Sequence, residues 1–208
     1  MKKVLEYFGV ITGLIYMILE VKQHPVMWVV GFVTSLVYVF VFFFAKIYAD
    51  MGLQVYYVLI SVYGFWLWMA PPNPLKGGQT EETSSPPPSG GRGVIYRHAG
   101  LPLLLGLLAL TGGAFGAIYY VLSHFTDSPV PLGDAFTTAV GIVATWMLAR
   151  RIIEHWYFWI VANAVSIYIY YLRDLYPTMF LYLCYALLSL LGLYTWIKKG
   201  TKVNAETI

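Results

Sequence analysis

Charged residues are scarce in this chain of 208 residues, in which Asp, Glu, Lys and Arg together make up 11%. Soluble domains carry about 25%, so this composition argues against a soluble globular protein, a nucleic-acid-binding protein and a disordered protein. The one cysteine, Cys184, excludes a disulfide framework and a cysteine zinc site. The histidines lack metal-binding spacing, and no nucleotide-binding loop is present. We therefore expect no metal, no cofactor and no enzymatic activity.

Hydrophobic residues, which make up 59% of the chain, lie instead in long continuous runs. A helix needs about 20 apolar residues to cross a bilayer, and seven runs reach or approach that length. They lack the alternating polarity of barrel strands. The pattern predicts an all-α integral membrane protein with seven transmembrane helices. The predicted spans cover residues 4–22, 26–45, 51–70, 99–122, 135–149, 156–172 and 175–197.

The segment 71–98 is polar and rich in proline and glycine, which is typical of a flexible linker. It follows a first unit of three spans, residues 1–70. After it come a connector helix at 99–123, a second unit of three spans at 133–198 and a tail at 199–208.

The two units match each other when the sequence is shifted by 128 residues. Spans 1–3 then repeat as spans 5–7, with span 4 between them. Because the repeat recurs after four spans, an even number, both units have the same orientation in the membrane. Parallel repeats of this kind enclose a site near the bilayer midplane, which favours a transporter. The aligned pairs include Trp28 with Trp156, Tyr57 with Tyr185, Gly64 with Gly192 and Trp68 with Trp196.

Lys and Arg are unevenly divided between the two sides of the predicted membrane. The 1–2, 3–4 and 5–6 loops and the C-terminus carry nine, and the opposite side carries four. Positive charge is enriched in cytoplasmic loops. The pattern therefore predicts a cytoplasmic C-terminus and linker, with the N-terminus outside.

The most distinctive motif, W-x-x-W-x-x-x-N, begins the sixth span. Trp156, Trp159 and Asn163 lie at i, i+3 and i+7, so they share one helix face. A flat aromatic ligand could stack on the indoles, a cationic ring especially well, while the amide offers a donor and an acceptor. Two alternatives stay open: an interfacial aromatic belt for Trp156, and a structural hydrogen bond to another helix for Asn163.

Other polar groups occupy related positions in the repeat. Gln54 in the third span is equivalent to Tyr182, and Ser35, beside Thr34, is equivalent to Asn163. Their alternative roles are hydrogen bonds between helices or to their own helix backbone. The predicted substrate-binding residues are Trp156, Trp159, Asn163, Gln54, Thr34, Ser35, Tyr57, Tyr182 and Tyr185.

Acidic residues are missing from the middle of every predicted span, where a proton or sodium relay would need one. Glu6 and Glu20 lie near the two ends of the first span. Near other span ends, where solvated charges are expected, lie Asp50, Asp134, Glu154 and Asp174. This distribution predicts a uniporter that moves a solute down its gradient.

The motifs resemble those of the PnuC family of vitamin transporters, best known for nicotinamide riboside. The W-x-x-W-x-x-x-N motif is similar to the family's sixth span, and Leu53–Tyr57 with Tyr63–Trp68 is similar to its third. The resemblance implies a three-plus-one-plus-three fold with the layout of SWEET sugar carriers. It also implies a homotrimer in the bacterial inner membrane, facilitated diffusion, and an intracellular kinase that traps the vitamin by phosphorylation.

By the same resemblance, Trp156, Trp159, Asn163 and Gln54 line the vitamin site. Thr34-Ser35 stands where the family often has an asparagine, which changes the hydrogen bonds that the site can make. Two alternative functions stay open: a thiamine carrier of the same family, since thiamine is also a cationic aromatic solute, and a SWEET-type carrier of small sugars.

Overall fold

The computed structural model describes residues 2–45, 48–69, 95–126, 128–172 and 174–202. These residues form seven helices and two short strands, which pair in parallel. The helices are α1 (Lys2–Val21), α2 (Val26–Ala45), α3 (Tyr48–Met69), α4 (Leu101–Phe125), α5 (Pro131–Ala149), α6 (His155–Leu172) and α7 (Tyr176–Lys199). The strands are β1 (Ile95–Tyr96) and β2 (Thr201–Lys202).

Each predicted span corresponds to one helix, so the all-helical class is confirmed. Five of the described helices, α2, α3, α4, α5 and α7, are long and apolar enough to cross a membrane. In α1 the apolar part is shorter, Val10–Val21. Helix α6 has 18 residues and includes several tyrosines and Asn163, which lower its hydropathy.

The packing order of the helices is the same in both units. Helix α2 packs against α1 and α3, as α6 packs against α5 and α7. The two units meet through two helix pairs, α1 with α7 and α3 with α5. The sequence repeat relates these pairs to each other, because α1 corresponds to α5 and α3 to α7. Helix α4 packs on α5 and is otherwise largely exposed.

Four tryptophans close one end of the helix assembly, and we call them the tryptophan layer: Trp28, Trp68, Trp156 and Trp196. Each is at most 1% exposed. Trp28 and Trp68 meet edge to face at 5.5 Å, and Trp156 and Trp196 do so at 5.6 Å. The geometry of one unit therefore recurs in the other.

Glycine makes this packing possible at equivalent positions. A Cβ atom on Gly64 would collide with the Trp28 indole, and one on Gly192 would collide with the Trp156 indole. The missing side chains let each ring lie directly against the neighbouring helix. This contact accounts for the aligned tryptophan–glycine pairs of the sequence repeat.

The tryptophan layer also joins the two units. The indole Nε1 of Trp68 donates to the carbonyl of Ala149 at 2.9 Å, and that of Trp196 donates to the carbonyl of Val21 at 3.2 Å. Val21 and Ala149 are themselves related by the 128-residue shift. Two equivalent hydrogen bonds thus hold the units together at this end.

The turns that follow α1 and α5 are built alike. Gln23 and Arg151 both have left-handed backbones, with φ of 52° and 56°. In each turn the next amide bonds to a carbonyl five residues earlier, as in a Schellman motif that ends a helix. These bonds are His24 N to Leu19 O at 2.8 Å and Ile152 N to Met147 O at 2.9 Å.

Most of the predicted linker, 71–98, lies outside the described residues, but its last four residues are structured. Ile95 and Tyr96 form β1. Arg97 exchanges backbone hydrogen bonds with the turn between α5 and α6, and His98 Nδ1 lies 2.9 Å from Glu154 Oε1. Residues 95–98 therefore belong to the folded part of the chain.

Candidate functional site

A cavity of about 380 Å³ lies between the two units, next to the tryptophan layer. This volume falls within the usual range for small-molecule sites. Residues of α1, α2, α3, α5, α6 and α7 contribute to its wall, so both units build it. The lining residues are Thr12, Gly13, Tyr16, Met17, Glu20, Gly31, Thr34, Ser35, Tyr38, Gln54, Tyr57, Ile60, Ser61, Thr145, Trp159, Asn163, Tyr182 and Tyr185.

A smaller cavity of about 180 Å³ adjoins the first. The two share Tyr57, Trp159, Asn163 and Tyr182, and the smaller one extends towards Thr137 and its neighbours on α5. The shared residues form the wall between two lobes of one site.

Aromatic side chains dominate the shared wall. Trp159 is half-buried, and its Nε1 is buried with no hydrogen-bond partner among the described residues. Tyr182 stacks on Tyr170 at 5.1 Å and meets Tyr185 edge to face at 5.7 Å. Fixed rings of this kind offer flat faces to a planar ligand.

The glycines of the repeat position two of these tyrosines. The Tyr57 hydroxyl lies against Gly141 of α5, and the Tyr185 hydroxyl lies against Gly13 of α1. Each tyrosine therefore reaches across to the other unit, and both reach equivalent glycines.

Asn163 combines the two roles that the sequence left open. It is 4% exposed and lines both lobes. Its Nδ2 donates to Ser189 Oγ at 3.2 Å, and Ser189 Oγ donates to the Tyr185 carbonyl at 2.8 Å. One hydrogen bond thus ties α6 to α7 and fixes the amide at the edge of the cavity.

Three other predicted residues, Gln54, Thr34 and Ser35, line the larger lobe. The Thr34 hydroxyl is buried without a hydrogen-bond partner among the described residues, and Ser35 is 6% exposed. Their hydroxyl oxygens and the Gln54 amide give the cavity wall hydrogen-bonding capacity.

Trp156 does not line either lobe. It is fully buried in the tryptophan layer, between Gly192 and Trp196. The structure thus places this residue in the packing beneath the site, apart from the ligand position that the motif predicts. The motif divides into one structural tryptophan and two residues, Trp159 and Asn163, at the cavity.

Glu20 is the lining residue that the sequence analysis missed. Its side chain is 0% exposed, and its Oε1 lies 3.3 Å from Nε2 of His155, which is also 0% exposed. The expectation that carboxylates near span ends are solvated is wrong for Glu20. The available signal was its repeat equivalent, Leu148, because an apolar residue at the equivalent position indicates burial.

The cavity wall has no cationic side chain among its described residues. Of the described residues that line either lobe, Glu20 is the one acidic residue, and none is Lys, Arg or His. An anionic ligand would therefore find no cationic partner among them, whereas a cation would meet several aromatic faces.

Comparisons with known proteins give the family and the fold of the chain. Residues 3–198 match the family described as "Nicotinamide mononucleotide transporter". The nicotinamide riboside transporter PnuC of Escherichia coli (strain K12) is 21% identical, over 98% of this chain and 89% of that protein. PnuC of Neisseria mucosa is 24% identical, over 90% and 70%.

A relative with a different named substrate is the riboflavin/roseoflavin transporter RibM of Streptomyces davaonensis, 23% identical over 90% of this chain and 82% of that protein. Among solved structures, the crystal structure of the vitamin B3 transporter PnuC matches with a TM-score of 0.67 and 23% identity, covering 93% of this chain and 80% of that chain. This match identifies the fold.

Proposed function

The chain belongs to the nicotinamide mononucleotide transporter family of membrane transporters, and from that membership we propose that it imports nicotinamide riboside by facilitated diffusion. The observation that carries the proposal is the aromatic cavity between the two units, with a carboxylate and no cationic side chain among its described lining residues. Relatives from several bacteria are named nicotinamide riboside transporters.

The chemistry of the substrate fits the two lobes. Nicotinamide riboside joins a flat, cationic pyridinium ring to a polar sugar. The ring would lie against Trp159 and the tyrosines of the shared wall, since indole and phenol faces attract cations. The amides and hydroxyls would bind the carboxamide and the ribose. The proposed binding residues are Trp159, Asn163, Gln54, Thr34, Ser35, Tyr57, Tyr182 and Tyr185, with Trp156 supporting them from beneath.

We propose that the units form a three-plus-one-plus-three arrangement of parallel repeats with the layout of SWEET carriers. This arrangement is supported by three features that occur once in each unit: the tryptophan–glycine contact, the hydrogen bond from an indole to a carbonyl, and the turn with a left-handed residue. Transport would proceed by rocking of the two units around the cavity. With the N-terminus outside the bacterial inner membrane, the closed tryptophan layer faces the cytoplasm.

Facilitated diffusion stops when the concentrations are equal, so accumulation beyond that point needs a sink. An intracellular kinase would provide one, because phosphorylation converts the substrate into an anion, and the described lining residues offer an anion no cationic side chain. A homotrimer is also proposed, on the resemblance to the family. The mass of the detergent-solubilised complex tests it directly.

Thiamine is the main competing substrate, because it too is a flat cation, and riboflavin is the named substrate of one relative. A small sugar is the remaining alternative. A sugar has no aromatic ring, so its transport would not depend on Trp159.

Binding of the four compounds to purified protein, measured by calorimetry, separates these possibilities. We expect nicotinamide riboside to bind most tightly and Trp159→Ala to weaken it. Trp66→Ala is the matched control, since Trp66 is 65% exposed and outside both lobes. If thiamine, riboflavin or glucose binds more tightly, that compound takes the place of nicotinamide riboside as the proposed substrate. If none of the four compounds binds, the proposal is overturned.

A further inference from the structure

We propose that Glu20 and His155 form a proton-sharing latch that holds the two units together beneath the cavity and separates in each transport cycle. The inference rests on the proposed function only for the cycle itself. The latch is a property of the folded chain, whichever solute is carried.

The pair connects the two units at the closed end. Glu20 lies in the last turn of α1, in the first unit, and His155 is the first residue of α6, in the second. Glu20 Oε1 and His155 Nε2 lie 3.3 Å apart and both side chains are fully buried. Among the described residues, neither Glu20 oxygen nor His155 Nε2 has a hydrogen-bond partner. The His155 ring also lies 4.5 Å from Trp156 and 4.9 Å from Trp196, so the latch is part of the tryptophan layer.

The geometry requires one proton between the two side chains. His155 Nδ1 lies 2.6 Å from the Ile152 carbonyl, which can only accept, so Nδ1 carries a hydrogen. A neutral imidazole would then turn the lone pair of Nε2 towards Glu20. A carboxylate facing that lone pair is repelled, so the pair is stable only when a proton lies on Nε2 or on Glu20.

The other unit shows that packing alone does not need these ionisable groups. The 128-residue shift relates Glu20 to Leu148 and His155 to Met27. Leu148 and Met27 are both 0% exposed. The same junction is therefore built once with two apolar side chains and once with a proton-sharing pair.

Few other titratable groups act on the pair. Among the described residues, Tyr16 of α1 interacts electrostatically with Glu20, and Tyr56 and Tyr57 of α3 interact with Tyr16. Tyrosine is neutral in the range in which histidine changes charge, about pH 5 to pH 8. Against the His155 ring, α6 and α7 contribute Trp156 and Trp196.

The charged groups of the adjoining α5–α6 turn are engaged elsewhere. Arg150 lies over the Trp146 ring and Arg151 over the Trp68 ring, while Glu154 pairs with His98. At the equivalent place in α5, Leu148 is apolar. The proton content of the latch is thus decided between Glu20 and His155.

The direction of the pH effect follows from the single proton shared by Glu20 and His155. Raising the pH removes the shared proton and leaves a carboxylate against an imidazole lone pair, with neither side chain exposed. This weakens the contact between the units, so the closed end opens more often. The opening equilibrium changes by up to about tenfold per pH unit over the range in which the closed end still holds the proton and the open end has released it.

Hydrogen exchange of residues 18–24 in the purified, ligand-free protein, followed by mass spectrometry across about pH 5 to pH 8, measures that opening. Protection factors already remove the intrinsic effect of pH on exchange. Two variants serve as references. Glu20→Gln keeps a donor for Nε2 without a shared proton, and Glu20→Leu with His155→Met copies the apolar junction of the other unit.

We expect protection in the unaltered protein to fall with rising pH by up to about tenfold per unit, and to stay level in both variants. A level profile in the unaltered protein, or the same fall in all three proteins, would overturn the latch. If the double variant does not fold, Glu20→Gln alone gives the reference. Because no substrate is added, failure of this test is distinct from failure of nicotinamide riboside binding.

Discussion

The tryptophan layer and the cavity are adjacent regions built from the same helices, yet their packing differs sharply. In the layer, four indoles are at most 1% exposed, and two of them, Trp28 and Trp156, lie on glycines. In the cavity, one helical turn away along α6, Trp159 is only half-buried and borders open volume. The difference separates a packed end of the helix assembly from the cavity at which we propose that the substrate binds.

The comparison also shows how one sequence motif serves two purposes. Trp156 and Trp159 are three residues apart, which corresponds to a rise of about 4.5 Å along the helix axis. That rise carries the chain from the packed layer to the edge of the cavity. Substitutions in the two regions should therefore affect different measurable properties.

The largest effect is expected for Trp156→Ala, which leaves an indole-sized hole in the layer. Replacing a fully buried tryptophan costs about 3–5 kcal/mol of unfolding free energy, which lowers the thermal midpoint by about 10 °C in a chain of this size. Thermal unfolding of the detergent-solubilised protein measures it. Trp28→Ala, at the equivalent position of the first unit, should lower the thermal midpoint by a similar amount. If Trp156→Ala keeps its thermal stability and only its substrate affinity falls, Trp156 belongs to the binding site and not to the packing.

Trp159→Ala should have the opposite profile. Loss of its ring face is expected to weaken nicotinamide riboside binding by about 1.5–3 kcal/mol, roughly 10- to 100-fold in Kd. The thermal midpoint should fall much less than in Trp156→Ala, because the ring borders open volume. Calorimetry and thermal unfolding on the same preparation make the comparison, and equal losses of stability in both variants would erase the distinction between the two regions.

Asn163→Ala lies between these extremes, since the amide both lines the cavity and bonds to Ser189. We expect about tenfold weaker binding and about 1 kcal/mol lower stability. Ser189→Ala removes the same hydrogen bond but leaves the amide at the cavity. If Ser189→Ala weakens binding as much as Asn163→Ala, then Asn163 acts by positioning its neighbours and not by touching the substrate.

The smallest expected effect concerns the energy source. Initial uptake of nicotinamide riboside should be unchanged when a proton or sodium gradient is collapsed while the membrane potential is held at zero, because a potential would by itself drive entry of a cationic substrate. The latch makes uptake sensitive to the pH on the cytoplasmic side, so that pH is held constant. A prompt fall in the initial rate under these conditions would indicate coupled transport and contradict uniport.

Much of the fold could be predicted from the sequence because two of its features are visible without any contact information. One is the length of each hydrophobic run, and the other is the repeat at an offset of 128 residues. The second span, 26–45, matches α2 at both ends, and the aligned tryptophans and glycines meet in space as pairs. Hydropathy also found α1, which begins two residues before the predicted span and ends one residue before it.

The site was only partly predictable, because sequence spacing gives the face of a helix but not what that face meets. The motif placed Trp156 and Trp159 on one face, and only the structure shows that the packed layer ends between them. Glu20 was missed for a related reason. A carboxylate near a helix end can face solvent or a buried partner, and its partner His155 is far away in the sequence.

Uptake of labelled nicotinamide riboside into proteoliposomes, with no ion gradient, is the decisive test of transport through this cavity. We expect saturable entry that stops when the concentrations inside and outside are equal, and that is strongly reduced by Trp159→Ala but not by Trp66→Ala. Uptake no greater than in protein-free liposomes, or equal uptake with and without the Trp159 ring, would contradict it.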